Sequence, residues 1–262
     1  MAARGADGPG DRLEHRLPGA ARFEQEVDRV DGPRTAGDLM RPPLFVPAVL
    51  NLPRALAGLV GSDAEGRRLL ASFRGSNSAP CWAPDGASLV VTLSRDGASQ
   101  LYALDARGGE PVRLTQSGGI DTEATFSPDG SALYFVSDRG GSPQIYRMPA
   151  KGGPANRVTF NGTYNISPAL SPDGRWLAYI SRVNGAFRLH VMELATGQTQ
   201  AITDTSADES PSFAPNGRLI VYATQVQGRE ALMTTTLDGR IKAKLGQQGG
   251  DIREPDWGPF VK

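Results

Sequence analysis

TFSPDGSALYFVSDRGGSPQIYRM, residues 125–148, contains a turn, an apolar run, a second turn and a shorter strand-like run. The same grammar returns along the chain. WAPDG stands at 82–86, FSPDG at 126–130, LSPDG at 170–174 and FAPNG at 213–217. Their prolines, Pro84, Pro128, Pro172 and Pro215, are separated by 44, 44 and 43 residues. Pro259, in WGPF, keeps the interval once more without the Asp-Gly that should follow. A fixed period of this length marks a repeat architecture.

One period spells four strands. Segment 123–127 is short and extended, and Pro128-Asp129-Gly130 turns the chain. Proline sets φ there, the aspartate bonds the following backbone and glycine takes the left-handed position. LYFVS at 133–137 has the aromatic and β-branched content of a buried strand. After a turn at 138–141, QIYRM at 144–148 alternates between two faces, and a fourth strand follows at 157–160. Equivalent second, third and fourth strands fall at 89–94, 101–105 and 112–115, at 177–181, 189–194 and 201–203, and at 219–224, 231–235 and 243–245.

None of the connections is long enough for the crossover of a parallel sheet. A single unit cannot bury both of its apolar faces alone. The expected fold is therefore all-β, a β-propeller of four-stranded antiparallel blades. Four blades are complete, a lone closing strand follows at 252–260, and the ring is expected to be an incomplete, open arc. The propeller region spans 66–262. Residues 1–65 form an atypical, largely irregular segment, where Pro42, Pro43, Pro47 and Pro53 are poor material for interior strands.

Composition narrows the function. The 28 basic and 28 acidic side chains cancel, so no global field draws nucleic acid or an anionic membrane. No apolar run approaches the ~20 residues of a membrane-spanning helix, so no membrane insertion is expected. The first 19 residues lack an apolar stretch, and LFVPAVL at 44–50 is interrupted by proline, so neither reads as a convincing signal peptide. Cys81 is the lone cysteine and reads as a small packed side chain. Only His15 and His190 are available for acid–base work or metal binding, too few for a zinc site. No nucleotide, cofactor or serine-elbow motif is present. A glycosidase built on two carboxylates stays open, with no pair marked.

The blade-to-blade connections, at 74–79, 116–123, 161–167 and 204–210, end just before the innermost strands and crowd the mouth of the central channel. Polar side chains on loops held by a rigid disk suit a binding partner. Turns that only keep the surface soluble fit the spacing equally.

SAPCWAPDG, TEATFSPDG, SPALSPDGRWLAYIS and ESPSFAPNG, with the ending LDGRIKAKLGQQGGDIREPDWGPF, resemble the WD40-like repeats and C-terminus of the TolB family. These are periplasmic components of the Tol–Pal cell-envelope system. The resemblance covers about residues 66–260. It implies a six-bladed propeller behind a small α/β domain, without catalysis or cofactor, in the periplasm. It further implies binding of the peptidoglycan-associated lipoprotein at the channel mouth, in support of outer-membrane integrity and constriction during cell division. Matching the family's motifs places lipoprotein contacts at Ser76, Ala79 and Thr122. Blade equivalence adds Asn77, Asp121, Glu123, Asn165 and Asp208. Residues 1–65 match neither the family's signal peptide nor its head domain, so the chain reads as N-terminally truncated or altered. The segment that would meet TolA has no counterpart here. Two alternatives stay open: a propeller from a peptidase or amidohydrolase-associated protein without its catalytic domain, and a nonfunctional fragment.

Overall fold

The computed structural model describes residues 48–49, 59–63, 66–246, 252 and 254–257. Among them every regular element is a β-strand. Ala48–Val49 (β1), Leu59–Asp63 (β2) and Gly66–Ala71 (β3) form a three-stranded antiparallel sheet. Four four-stranded sheets follow. Blade A is Asn77–Trp82 (β4), Ser88–Leu93 (β5), Gln100–Asp105 (β6) and Val112–Arg113 (β7). Blade B is Asp121–Phe126 (β8), Ala132–Ser137 (β9), Gln144–Pro149 (β10) and Asn156–Arg157 (β11). Blade C is Asn165–Leu170 (β12), Trp176–Val183 (β13), Ala186–Glu193 (β14) and Thr199–Ala201 (β15). Blade D is Glu209–Phe213 (β16), Leu219–Val226 (β17), Arg229–Thr236 (β18) and Lys242–Lys244 (β19). Each blade pairs its strands in sequence order, antiparallel throughout. The four predicted blades are the four observed.

The middle hairpins of blades C and D run longer than expected. They close on two-residue turns, Asn184-Gly185 and Gln227-Gly228, with all four residues at positive φ. That is the mirror-image turn whose twist matches a hairpin.

The first two strands of each blade are joined by the Pro-Asp-Gly turn or its Asn variant. Gly86, Gly130, Gly174 and Gly217 lie at φ +68°, +70°, +69° and +67°. Each glycine donates its N–H to the residue three back, as Gly130 does to Ser127 O at 2.8 Å. The aspartate or asparagine accepts from the backbone two residues on, as Asp129 Oδ1 does from Ser131 N at 3.1 Å. Hydroxyl bonds from Ser127 lead the causes that hold the Asp129 carboxyl at about 2. Consecutive turns also touch: a Cβ on Gly130 would meet Pro84 Cδ at 3.6 Å, one on Gly174 Pro128 at 3.7 Å, and one on Gly217 Pro172 at 3.7 Å. Gly130→Val is expected to lower stability by about 2 kcal/mol, because a β-branched residue is strained at positive φ. Asp129→Ala should cost less, since it removes local bonds from an exposed group and leaves the backbone allowed. Urea melts compare them, and equal losses would contradict this account of the turn.

Alternate residues of each strand face alternate neighbours, so the core lies between blades. Between A and B are Val90, Leu101, Leu133, Phe135, Tyr146 and Met148. Between B and C are Ala132, Tyr134, Ile145, Leu177, Tyr179 and Met192. Between C and D are Ala178, Ile180, Leu189, Val191, Ile202, Phe213, Ile220 and Tyr222. Burial on both faces explains why β9 is apolar along nearly its whole length. Each fully buried large side chain contributes roughly 1.5–3 kcal/mol. The remaining face of blade A buries Leu89, Val91, Leu93, Tyr102 and Leu104, with Phe73 and Trp82 packed on them.

Every inner strand carries a bulge. The register slips between Ser78 and Cys81, Thr122 and Thr125, Ile166 and Ala169, and Glu209 and Ser212. The first residue inside each slip is left-handed without being glycine: Ala79 at +46°, Glu123 at +51°, Ser167 at +53° and Ser210 at +49°. One extra residue bends the strand and re-aims what it carries.

Candidate functional site

The eight predicted contact residues fall at the heads of the inner strands, and the structure sorts them by depth. Asn77, Asp121, Asn165 and Asp208 occupy one place in the period and are all buried. Their hydrogen bonds run inward. Asn77 Nδ2 donates to Phe73 O at 2.8 Å and Gly75 O at 3.1 Å. Asp121 accepts two bonds from the Arg139 guanidinium, at 2.9 and 3.0 Å. That guanidinium also lies over the rings of Phe135 and Tyr146, at 5.3 and 5.0 Å. Asn165 Nδ2 donates to Gln144 Oε1 at 2.7 Å and Asn161 O at 2.8 Å. Asp208 accepts from Leu189 N at 3.0 Å, from Thr224 Oγ1 at 2.6 Å, and from the hydroxyls of Thr203 and Thr205. The backbone repeats the clasp: the amides of Asp121, Asn165 and Asp208 donate to Ser99, Pro143 and Phe187 carbonyls of the preceding blade. These four residues fix the loops in place.

Ser76 is exposed, and Ala79, Thr122 and Glu123 are half-buried at the bulges or beside them. Thr122 Oγ1 lies 3.2 Å from Thr92 Oγ1 in the preceding blade. Glu123 Oε2 accepts from Ser167 N at 2.8 Å and Ser167 Oγ at 3.2 Å, joining neighbouring inner strands. Burial, and more weakly the charge of Glu254, push the Glu123 carboxyl above its ordinary 4.5. A carboxyl raised on folding favours the folded state below its unfolded value and loses that contribution as pH rises through the folded one. Glu123→Gln keeps an acceptor for Ser167 N–H and cannot ionise. The variant should gain stability relative to the parent as pH rises from 4.5 toward neutrality. Urea midpoints across that interval check it; a variant that loses ground would show the carboxylate to be favourable.

Sequence reasoning did not find Ser167 and Ser210, which stand at the same place in the period as Ala79 and Glu123. It also missed Arg139 and Thr224, which lie in another loop and another strand, and Thr203 and Thr205, which share the loop of Asp208. Two apolar residues of the same connections face solvent, Ile120 at 48% and Phe160 at 72% exposure. Phe160, expected within a fourth strand, lies beyond β11 with the Arg157 guanidinium 5.2 Å from its ring. Cys81 is half-buried, and burial leads the causes that push its thiol up. His190 packs 5.6 Å from the Tyr179 ring, and burial, followed by the Arg188 charge, lowers its pKa.

Against known families, the model of the TolB beta propeller domain matches residues 60–261, starting inside β2. The chain belongs to the TolB propeller family. The Tol-Pal system protein TolB of Polaromonas sp. (strain JS666) is 76% identical over 68 residues, 26% of this chain and 16% of that protein. The crystal structure of TolB from Acinetobacter baumannii superposes with a TM-score of 0.72 at 40% identity, covering 77% of this chain and 51% of that one. The matched region thus spans about half of that TolB. A puromycin-hydrolysing peptidase of Mycobacterium tuberculosis superposes with a TM-score of 0.57 at 17% identity, over 74% of this chain and 34% of that one. At that identity the likeness to the peptidase shows the fold alone.

Proposed function

We propose that this chain is a noncatalytic, periplasmic binding scaffold of the Tol–Pal system. Its channel mouth takes the peptidoglycan-associated lipoprotein, in support of outer-membrane integrity and constriction during division. The propeller unit begins near residue 66. The observation that carries this reading is the division of labour at the inner-strand heads. Asn77, Asp121, Asn165 and Asp208 are tied inward, while Ser76 is exposed, Thr122 and Glu123 are half-buried, and Ile120 and Phe160 on the blade-to-blade connections face solvent. Contact residues on loops locked from behind are pre-organised, which limits the entropy lost on binding.

The full chain should bind the lipoprotein's periplasmic domain in solution. Combining Thr122→Ala with Glu123→Gln should weaken that binding about tenfold, or ~1.4 kcal/mol, without lowering Tm. Titration calorimetry with parallel melts checks both. A folded parent chain that fails to bind, or a folded double variant that binds as tightly as the parent, would sink the assignment.

A further inference from the structure

The connection from blade B to blade C, FNGTY at 160–164, has an aromatic residue at each end. A guanidinium is associated with each. At the start, the Arg157 Cζ lies 5.2 Å from the centroid of the exposed Phe160 ring. Arg157 Nε donates to Thr159 O at 2.5 Å, which leaves the two terminal nitrogens without a partner among the described residues. At the end, the Tyr164 ring stands edge-on to Phe187, with centroids 5.9 Å apart and planes at 81°. The Arg182 Cζ is 5.6 Å from the centroid of that same Phe187 ring. Arg182 and Phe187 are cross-strand partners in the β13–β14 hairpin, so their stack is set by register. Arg182 is exposed, and Tyr164 and Phe187 are half-buried.

The connection is tied to the blades beneath it. Asn165 Nδ2 donates to Asn161 O at 2.8 Å, Gln144 Nε2 to Gly162 O at 3.4 Å, and Arg182 N to Tyr164 O at 2.9 Å. Gly162 lies at φ +78°, and a Cβ there would sit 2.6 Å from Ser181 Oγ, so the loop rests directly on blade C. The neighbouring blades lack this set. One period away, Asp138 and Gln225 stand in the place of Arg182, and Pro143 and Glu230 in that of Phe187. The positive charge is also uncompensated. Among the described residues neither Arg157 nor Arg182 forms an ion pair, while Asp121 and Asp204 on the adjoining connections are taken by Arg139 and Lys242.

A guanidinium stacked on a ring keeps its N–H edge for a planar acceptor, and its fork matches a carboxylate. Arginine and aromatic side chains are those in which binding energy concentrates, and a loop already fixed loses little entropy when it is engaged. We propose that the 160–164 connection, with Arg157 and Arg182 at its two ends, is a docking sector for an acidic protein segment. The segment offers a carboxylate to each guanidinium and an apolar side chain to Phe160. The Cα atoms of Phe160 and Tyr164 can be no more than about 14 Å apart, so about five extended residues reach both ends. The 28 basic and 28 acidic side chains of the chain cancel, so no wide field holds a membrane or a nucleic acid. Carboxylates with an apolar neighbour are what a peptide supplies. The inference adds the chemistry of a partner to the reading above and holds whether or not that partner is the lipoprotein.

The probe is a short synthetic peptide of glutamates flanking one phenylalanine, with a glutamine counterpart as control, titrated into the isotopically labelled full chain. Amide NMR signals at 160–164 and 182–187 should move with the glutamate peptide and stay with the glutamine one. Those of the turn at 126–130, at the other end of β8, should stay with both. Added salt should weaken the binding, because exposed charges are screened. Arg157→Gln combined with Arg182→Gln should weaken it about tenfold with Tm unchanged. If that variant does not fold, Phe160→Ser, which removes only an exposed ring, takes its place and should weaken binding severalfold. No shift in the folded parent, equal shifts with the glutamine peptide, or shifts centred elsewhere would overturn the inference. So would a folded variant of either kind that binds as tightly as the parent. Binding to phosphatidylglycerol vesicles that needs the two arginines, with no response to the peptide, would assign the sector to a membrane surface and overturn it too. No lipoprotein is present in this titration, so its outcome and that of the calorimetry are read separately.

Discussion

Asp208→Ala is expected to remove about 3 kcal/mol or more of stability, among the largest losses any single side chain here can cause. The carboxylate is buried and accepts from one amide and three threonine hydroxyls belonging to β14, β17 and the loop before β16. Bonds to a charged group are worth about 1.5–3 kcal/mol each in net terms, and they do not add. Truncation also leaves polar groups facing an empty volume. Asp208→Asn keeps the shape and one acceptor oxygen, so it should retain roughly half of the stabilisation. Denaturant unfolding of the three proteins measures this directly. A loss below about 1 kcal/mol for the alanine variant would mean that water or rearranged hydroxyls replace the carboxylate.

Gly239→Val should be comparably damaging through a different route. Gly239 lies at φ +69°, and a Cβ there would sit 2.6 Å from Ile202 O and 3.0 Å from Ile202 Cα, both backbone atoms of blade C. Strain at positive φ costs about 1–3 kcal/mol and forced displacement of packed backbone about as much again. The expected total is about 4 kcal/mol. Gly228→Val is the control, because Gly228 has φ +73° with nothing within 4 Å of the added Cβ. Its cost should be the conformational part alone. Equal losses at the two glycines would show that blade D shifts away from blade C without penalty.

The blades were legible because their punctuation is local: a proline, an aspartate and a glycine in one turn announce the strands on either side. The sheet at 48–71 was not, because AV, LVGSD and GRRLLA contain no such turn and Pro47 and Pro53 flank the first of them. Its strand identity lies in spacing that becomes visible once the complete blades set a ruler. At the heads of the inner strands, position was readable and depth was not. Asn77, Asp121, Asn165 and Asp208 look like solvated loop residues until their partners are known. Those of Asp121 and Asp208 lie as far as 18 and 19 residues away, at Arg139 and Leu189. The bulges were silent for a related reason. Ala79, Glu123, Ser167 and Ser210 take a left-handed conformation without the glycine that usually advertises it.

The seat of Gly130, Gly174 and Gly217 against the previous turn's proline has a consequence at the level of the gene. An in-frame loss of codons 85–128 removes 44 residues and leaves Pro84 followed by Asp129 and Gly130, so the turn is rebuilt from two half-turns. Gly174 then meets Pro84 where it had met Pro128. Recombination between equivalent codons can therefore add or subtract a blade without writing a new turn sequence.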